Sequence, residues 1–178
     1  VRIEAIEESV DGIAIRIAIP ATRAESLAER GRNLPGYGGC GVCGSASIEA
    51  VLRPPPAIAG DARFDEGALH RALAQLQERH PLNAATGATH AAGFADENGE
   101  LLLVREDVGR HNALDKLIGA MASTNIDAAG GFAVVTSRAS YELAMKAAQA
   151  GIPLLAAISA PTSLAIALAE SANLCLVG

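Results

Sequence analysis

The chain has 178 residues, 50% of them hydrophobic and 3% aromatic with no tryptophan, enough for one compact domain, or one domain plus a small appendage, around an aliphatic core. A formal charge of −6, from 14 basic and 20 acidic residues without long like-charge runs, argues against bulk binding of a phosphate backbone, and the scarcity of aromatics argues against base stacking. Three cysteines are an odd number in a chain too long to be a disulfide-stapled miniprotein, so a reducing, cytoplasmic setting is expected.

The opening VRIEAIEESVDG has no basic stretch followed by an apolar one. No uncharged run approaches the roughly 20 residues of a membrane span, so neither secretion nor membrane insertion is expected. The chain begins with Val1 and closes at Gly178 directly after an apolar run, which reads as a trimmed piece. Residues 1–19 alternate apolar and polar on either side of Asp11-Gly12, a hairpin pattern with turn chemistry. Residues 31–44, GRNLPGYGGCGVCG, hold six glycines and a proline, which predicts an irregular, supple loop carrying Cys40 and Cys43. Arg53-Pro54-Pro55-Pro56 reads as a stiff spacer, so a boundary is expected there: an N-terminal β appendage with the cysteine loop over 1–56, and an α/β domain over 57–178.

Beyond the spacer, Leu69, Leu73 and Leu76 predict a helix within 66–80 ended by Pro81. Strands near 88–95 and 101–105 flank Asp96-Glu97-Asn98-Gly99, a hairpin turn, and a helix over 111–122 buries Leu114, Leu117, Ile118 and Met121. Strand and helix then alternate: Phe132–Thr136, 139–150 ended by Gly151 and Pro153, Leu154–Ile158, 161–172 and Leu174–Val177. Linked βαβ units force parallel strands with right-handed crossovers, and ligands of such sheets sit beyond the carboxyl ends of the strands. The loops to inspect are therefore Thr136-Ser137-Arg138 and Ser159-Ala160-Pro161-Thr162-Ser163.

Cys40-Gly41-Val42-Cys43-Gly44 places two thiols close together on a backbone with little side-chain bulk. A thiolate there can accept sulfane sulfur as a persulfide while its neighbour regulates or resolves it. Half of a zinc site is the plainer reading, but four ligands are needed and no second cysteine pair exists. A thioredoxin-type dithiol normally opens a helix after a strand, whereas glycines flank this pair on both sides. Carriage of sulfur accounts for the residues better than either. Cys175, in the final apolar strand, reads as a small core hydrophobe.

Arg105 to Lys116, REDVGRHNALDK, straddles a strand end and a helix start, where free N–H groups attract anions. Arg110, His111 and Lys116 offer donors to phosphates and Asp115 an acceptor for a ribose or purine edge, against the alternative of a solvated cap with internal ion pairs. In Thr86-Gly87-Ala88-Thr89-His90 the histidine alone decides nothing. Ser137-Arg138-Ala139-Ser140 and Ser159 to Ser163 are hydroxyl-rich helix starts; capping explains the serines, while Arg138 at a positive helix end suggests an intervening anion.

These five segments, from Cys40-Gly41-Val42-Cys43-Gly44 to Ser159-Ala160-Pro161-Thr162-Ser163, resemble the FdhD-type formate dehydrogenase accessory sulfurtransferases over about residues 30–178, REDVGRHNALDK being the most specific match. The resemblance implies a persulfide carrier that takes sulfur from a cysteine desulfurase. It delivers that sulfur to the bis-guanine-dinucleotide form of the molybdenum cofactor before insertion into formate dehydrogenase. It implies a cytidine-deaminase-like three-layer α/β sandwich with a mixed sheet, a homodimer, and Cys40 as the favoured acceptor. By the same resemblance the cofactor's nucleotide end is held by Gly87, His90, Arg110, His111, Asn112, Asp115, Lys116, Ser137, Arg138, Ser159, Thr162 and Ser163. Deaminase zinc chemistry needs His-x-Glu and a later Pro-Cys-x-x-Cys, whereas the corresponding helix starts here read Arg110-His111-Asn112-Ala113 and Ser137-Arg138-Ala139-Ser140, so no metal of its own is expected. The family pattern is longer at both ends and often has Ser where Gly39 precedes Cys40. The alternative reading is a module binding a phosphorylated sugar or nucleotide, with a zinc or disulfide clip at Cys40 and Cys43.

Overall fold

A computed structural model of the chain describes residues 2–10, 12–28, 55–60 and 62–178, with backbone alone over 25–28. The expected cysteine loop, with Cys40 and Cys43, lies outside the described residues. At the N-terminus β1 (Arg2–Ser9) and β2 (Gly12–Ala18) form the expected antiparallel hairpin, with Ile3 opposite Ile17 and Ile6 opposite Ile15. A register shift between Ile3 and Ala5 brings these β1 isoleucines onto the face that Ile13, Ile15 and Ile17 share through their two-residue period. A helix not expected from the sequence, α1 (Ala21–Ala28), closes its first turn on the Pro20 carbonyl through the N–H groups of Arg23 and Ala24.

The main body begins with α2 (Glu66–Glu78), which buries Ala68, Ala72 and Leu76 on a stripe of four-residue spacing. Leu69 and Leu73, two of the expected core leucines, pack only partly, because the alanines face the sheet and allow close approach. Gly99, at φ 83°, sits so near the Ala68 carbonyl that a Cβ there would collide with it. Arg71 and Gln75 fasten the same turn, Arg71 donating to the Asn98 carbonyl and Gln75 accepting from Leu101 N–H at 3.1 Å. Pro81 does more than end a helix. It opens the short α3 (Pro81–Thr86), as proline's fixed φ permits, and α3 closes at Gly87 in the left-handed region, φ 65°.

β3 (His90–Asp96) and β4 (Leu101–Asp107) form the second hairpin, its turn held by Asp96 accepting from the Asn98 and Glu100 N–H groups. With β5 (Gly131–Arg138), β6 (Leu154–Ser159) and β7 (Cys175–Val177) they make a five-stranded mixed sheet of order β4-β3-β5-β6-β7. β3 is antiparallel to both neighbours, while β5, β6 and β7 run parallel as the βαβ pattern requires. The crossovers are α4 (Arg110–Thr124), α5 (Tyr141–Gln149) and α6 (Ser163–Ala172).

Because strand side chains alternate, the sheet feeds two cores. Ala133, Val135, Leu155 and Ala157 meet α4, α5 and α6 on one face, and Phe132, Val134, Leu154 and Ala156 meet α2 on the other. The architecture is therefore mixed α/β with helices on both faces. One expectation fails: Cys175 is exposed, because β7 is an edge strand and Leu174, one residue earlier, takes the buried position. Among the described residues, no helix is long and apolar enough to cross a membrane.

Candidate functional site

Sheet register gathers the sequence-predicted segments from Thr86 onward along one margin. His90 pairs with Asp107, Arg138 pairs with Ser159, and Ala91 N–H donates to the Thr136 hydroxyl at 2.9 Å. The amino end of β3 thus meets the carboxyl ends of β4, β5 and β6. From those ends α4, α5 and α6 depart, turning the first N–H groups of each toward the same margin. Ser140 caps α5 by accepting from Leu143 N–H and Thr162 caps α6 by accepting from Ala165 N–H, while α4 begins at Gly109 without a side-chain cap. The Thr162 N–H donates to the Ala139 carbonyl at 3.0 Å, locking the loop after β6 to the loop after β5.

Arg110 opens α4, and its buried Nε has no hydrogen-bond partner among the described residues. The neighbouring His90 imidazole is held below its ordinary pKa, first by burial and then by the charges of Arg110 and His80, so it is neutral near pH 7. Arg138 projects into solvent at the end of β5 without an ion pair among the described residues. Ser159, Thr162 and Ser163 are exposed beside it, while Ser137 is buried with its hydroxyl donating to the Arg138 carbonyl at 3.1 Å. Gly87 lies near the base of this margin, as the left-handed cap that turns the chain into β3.

Other predicted ligand-holders are engaged with protein groups. Lys146 donates to both carboxylate oxygens of Asp115 at 2.6 Å. Lys116 pairs with Asp107 at 2.6 Å and donates to the Glu106 carbonyl at 3.1 Å, and Asn112 donates to Asp107 at 3.2 Å. For Asp115, Lys116 and Asn112 the internal ion-pair reading therefore describes the contacts. The bond from Lys116, with those from Gly109 N–H and Asn112, holds the Asp107 carboxyl below its usual range against opposition from burial.

Two buried pairs escaped the sequence reading. Burial alone would raise the Glu106 pKa, but the Leu82 and Asn83 N–H groups, the Thr89 hydroxyl and His80 together hold it low. His80 Nε2 lies 3.1 Å from Glu106, and Thr89 donates to it at 2.9 Å. Glu106 thereby caps α3 from a neighbouring strand. The second pair joins the first turns of α4 and α5: His111 Nε2 lies 2.7 Å from Glu142 Oε2, with both side chains at least nine-tenths buried. Ser140 Oγ is 3.4 Å from the same nitrogen. Glu142 was visible only as an acidic residue in a helix's first turn, a pattern that ordinary dipole compensation explains.

A protein from Xanthomonas campestris pv. campestris named "Sulfur carrier protein FdhD" is 63% identical over 177 residues, covering 99% of this chain and 63% of that protein. A protein of the same name from Bordetella bronchiseptica is 49% identical over 173 residues, covering 97% of this chain and 63% of its own length. The chain thus spans less than two thirds of the curated relatives it matches. A crystal structure of a proposed formate dehydrogenase accessory protein from Desulfotalea psychrophila superposes with a TM-score of 0.64 at 23% identity, over 98% of this chain and 61% of that one, which supports the fold. The FdhD/NarQ family model matches residues 1–178, and the chain belongs to that family.

Proposed function

We propose that this chain is a sulfur carrier of sulfurtransferase type, accepting sulfur from a cysteine desulfurase as a persulfide on Cys40. It passes that sulfur to the molybdenum bis-guanine-dinucleotide cofactor destined for formate dehydrogenase. The observation that carries the reading is the convergence of three helix openings, Arg110 and neutral His90 on one sheet margin, in a chain whose relatives are named sulfur carriers. That margin suits the anionic, guanine-nucleotide end of a substrate.

Each turnover balances with the thiol pair and a cellular dithiol. The Cys40 thiolate attacks the terminal sulfur of the desulfurase persulfide; the donor's S–S bond breaks as the new one forms, and the donor leaves as a thiolate. For delivery, Cys43 attacks the Cys40 sulfur and sulfide departs to the cofactor. The two electrons that reduce sulfane sulfur to sulfide come from the two thiols, which become a disulfide that a cellular dithiol reduces again.

Arg110, His90, Arg138, Ser159, Thr162 and Ser163 are assigned to the phosphates, with Gly87 and Ser137 shaping the margin. Asn112, Asp115 and Lys116 would meet ligand only by exchanging their present partners, and His111 serves through its neighbours. We further assign residues 1–56 to an appendage bearing the cysteine loop and 57–178 to a cytidine-deaminase-like three-layer sandwich, a likeness supported by the β4-β3-β5-β6-β7 order. A homodimer in the cytoplasm completes the proposal. The test is thermal unfolding with guanosine diphosphate, together with metal analysis. A raised midpoint without stoichiometric zinc supports the carrier; zinc held by the cysteines with no nucleotide effect overturns it.

A further inference from the structure

The His111–Glu142 pair has a task that neither residue type announces. Both side chains are at least nine-tenths buried at the junction of α4 and α5, and their contact of 2.7 Å is short enough for a charge-assisted hydrogen bond. His111 follows Arg110 directly, so fixing its ring fixes the first turn of α4 and the guanidinium it carries. Glu142 is the second residue of α5, two positions after Ser140, whose hydroxyl caps that helix and lies 3.4 Å from His111 Nε2. From Ser140 the linkage continues one residue back to Ala139, whose carbonyl accepts from Thr162 N–H at the start of α6. The buried pair, continued by the Thr162–Ala139 hydrogen bond, therefore links the openings of all three helices that border the candidate margin.

A cheaper way to join two helices is apolar packing, and α4 and α5 already share one core cluster through Leu114, Leu117 and Leu143. Two desolvated polar groups cost free energy unless they match each other closely, and such pairs specify one arrangement more than they add stability. Here the arrangement specified is the spacing between Arg110 and the α5 opening.

We propose that Glu142 and His111 are positioning residues for anion binding: their buried hydrogen bond holds Arg110 and the starts of α4, α5 and α6 in register for a diphosphate. The inference rests on the nucleotide-binding reading above and names a residue, Glu142, that touches no ligand in it. His111 acts through Arg110 and the helix start.

The test is guanosine diphosphate affinity, measured well below the unfolding midpoint, for the 178-residue chain and its variants. Glu142→Gln keeps an acceptor at the same reach and is expected to bind within about threefold of the parent chain. Glu142→Leu and His111→Leu are each expected to weaken binding by about tenfold or more, with the double variant no worse than the weaker single, as for a coupled pair. Should the leucine variants fail to fold, Glu142→Asp, which retracts the carboxylate by one methylene, is expected to weaken binding about fivefold. Variants that fold with a shifted midpoint but bind the nucleotide as the parent does overturn the inference and leave the nucleotide reading standing. A parent chain that does not bind the nucleotide overturns both.

Discussion

The two ends of the parallel strands are built on opposite plans. At the amino ends lies a hollow of about 630 Å³ walled by small and apolar groups, among them Pro56, Ala57, Ala128, Ala150 and Gly151, with Asp127 already accepting from the Ala129 N–H. A second hollow of about 300 Å³ beside it reaches Cys175 and Asn173. The carboxyl ends instead concentrate Arg110, His90, Arg138, three helix openings and two buried acid-histidine pairs. An alanine-walled hollow offers shape without recognition, whereas the carboxyl margin offers oriented donors that need only a ligand or a neighbouring segment to close over them.

That contrast can be broken in four ways. The largest effect should come from Glu106→Ala, which strips the carboxylate from His80, Thr89 and the Leu82 and Asn83 N–H groups. Orphaning a buried network of this kind should cost about 3 kcal/mol in urea unfolding. A loss under about 1 kcal/mol would show that the carboxyl end is less tightly organised than its contacts imply.

Next, Arg110→Met should weaken guanosine diphosphate binding about tenfold, while Ala128→Leu, which fills part of the amino-end hollow, should change it less than about twofold. A reversed order would move the site to the hollow. Thr162→Ala removes the cap of α6 and should lower stability by about 1 kcal/mol, read by thermal unfolding.

The smallest effect is a pH dependence. Asp107 and Glu106 titrate below their ordinary 3.8 and 4.5, so the unfolded chain holds protons that the folded one has given up. Their contribution is present above those values and disappears as pH falls through the lower folded ones. His90, held below 6.5, acts in the same direction at higher pH, since below 6.5 the unfolded chain takes up a proton that the folded chain resists. Asp107→Asn should remove about 1 kcal/mol or less at neutral pH, because Lys116 is half exposed, and should flatten the acid limb of the stability profile.

Most of the main body was legible from the sequence because its elements are long or repetitive. The βαβ alternation from Phe132 onward and the Asp96-Glu97-Asn98-Gly99 turn each rest on one strong local rule, and the structure bears them out. Misses occurred where one residue obeys two rules. Pro81 reads as a stop although proline also opens helices, and α3 is invisible to the first rule alone. Cys175 has an apolar segment around it that reads as core, but it stands at the start of the edge strand β7 with its side chain exposed, while Leu174 beside it is buried. Ala68 and Ala72 displaced Leu69 and Leu73 from the deepest stripe because a close helix-sheet approach favours small residues. At the site, segment membership was legible and pairing was not: Lys146 lies 31 positions from Asp115 and Glu142 as far from His111, separations that no local pattern encodes.

Sulfur carriage by Cys40, as proposed, requires that the chain gain mass from a persulfide donor. Intact-mass spectrometry of the chain after incubation with a cysteine desulfurase and free cysteine tests it most directly. The expected result is a gain of one sulfur atom that maps to Cys40, is released by a dithiol and vanishes in Cys40→Ala. An unmodified chain, or an adduct that survives in Cys40→Ala on Cys175, would contradict it.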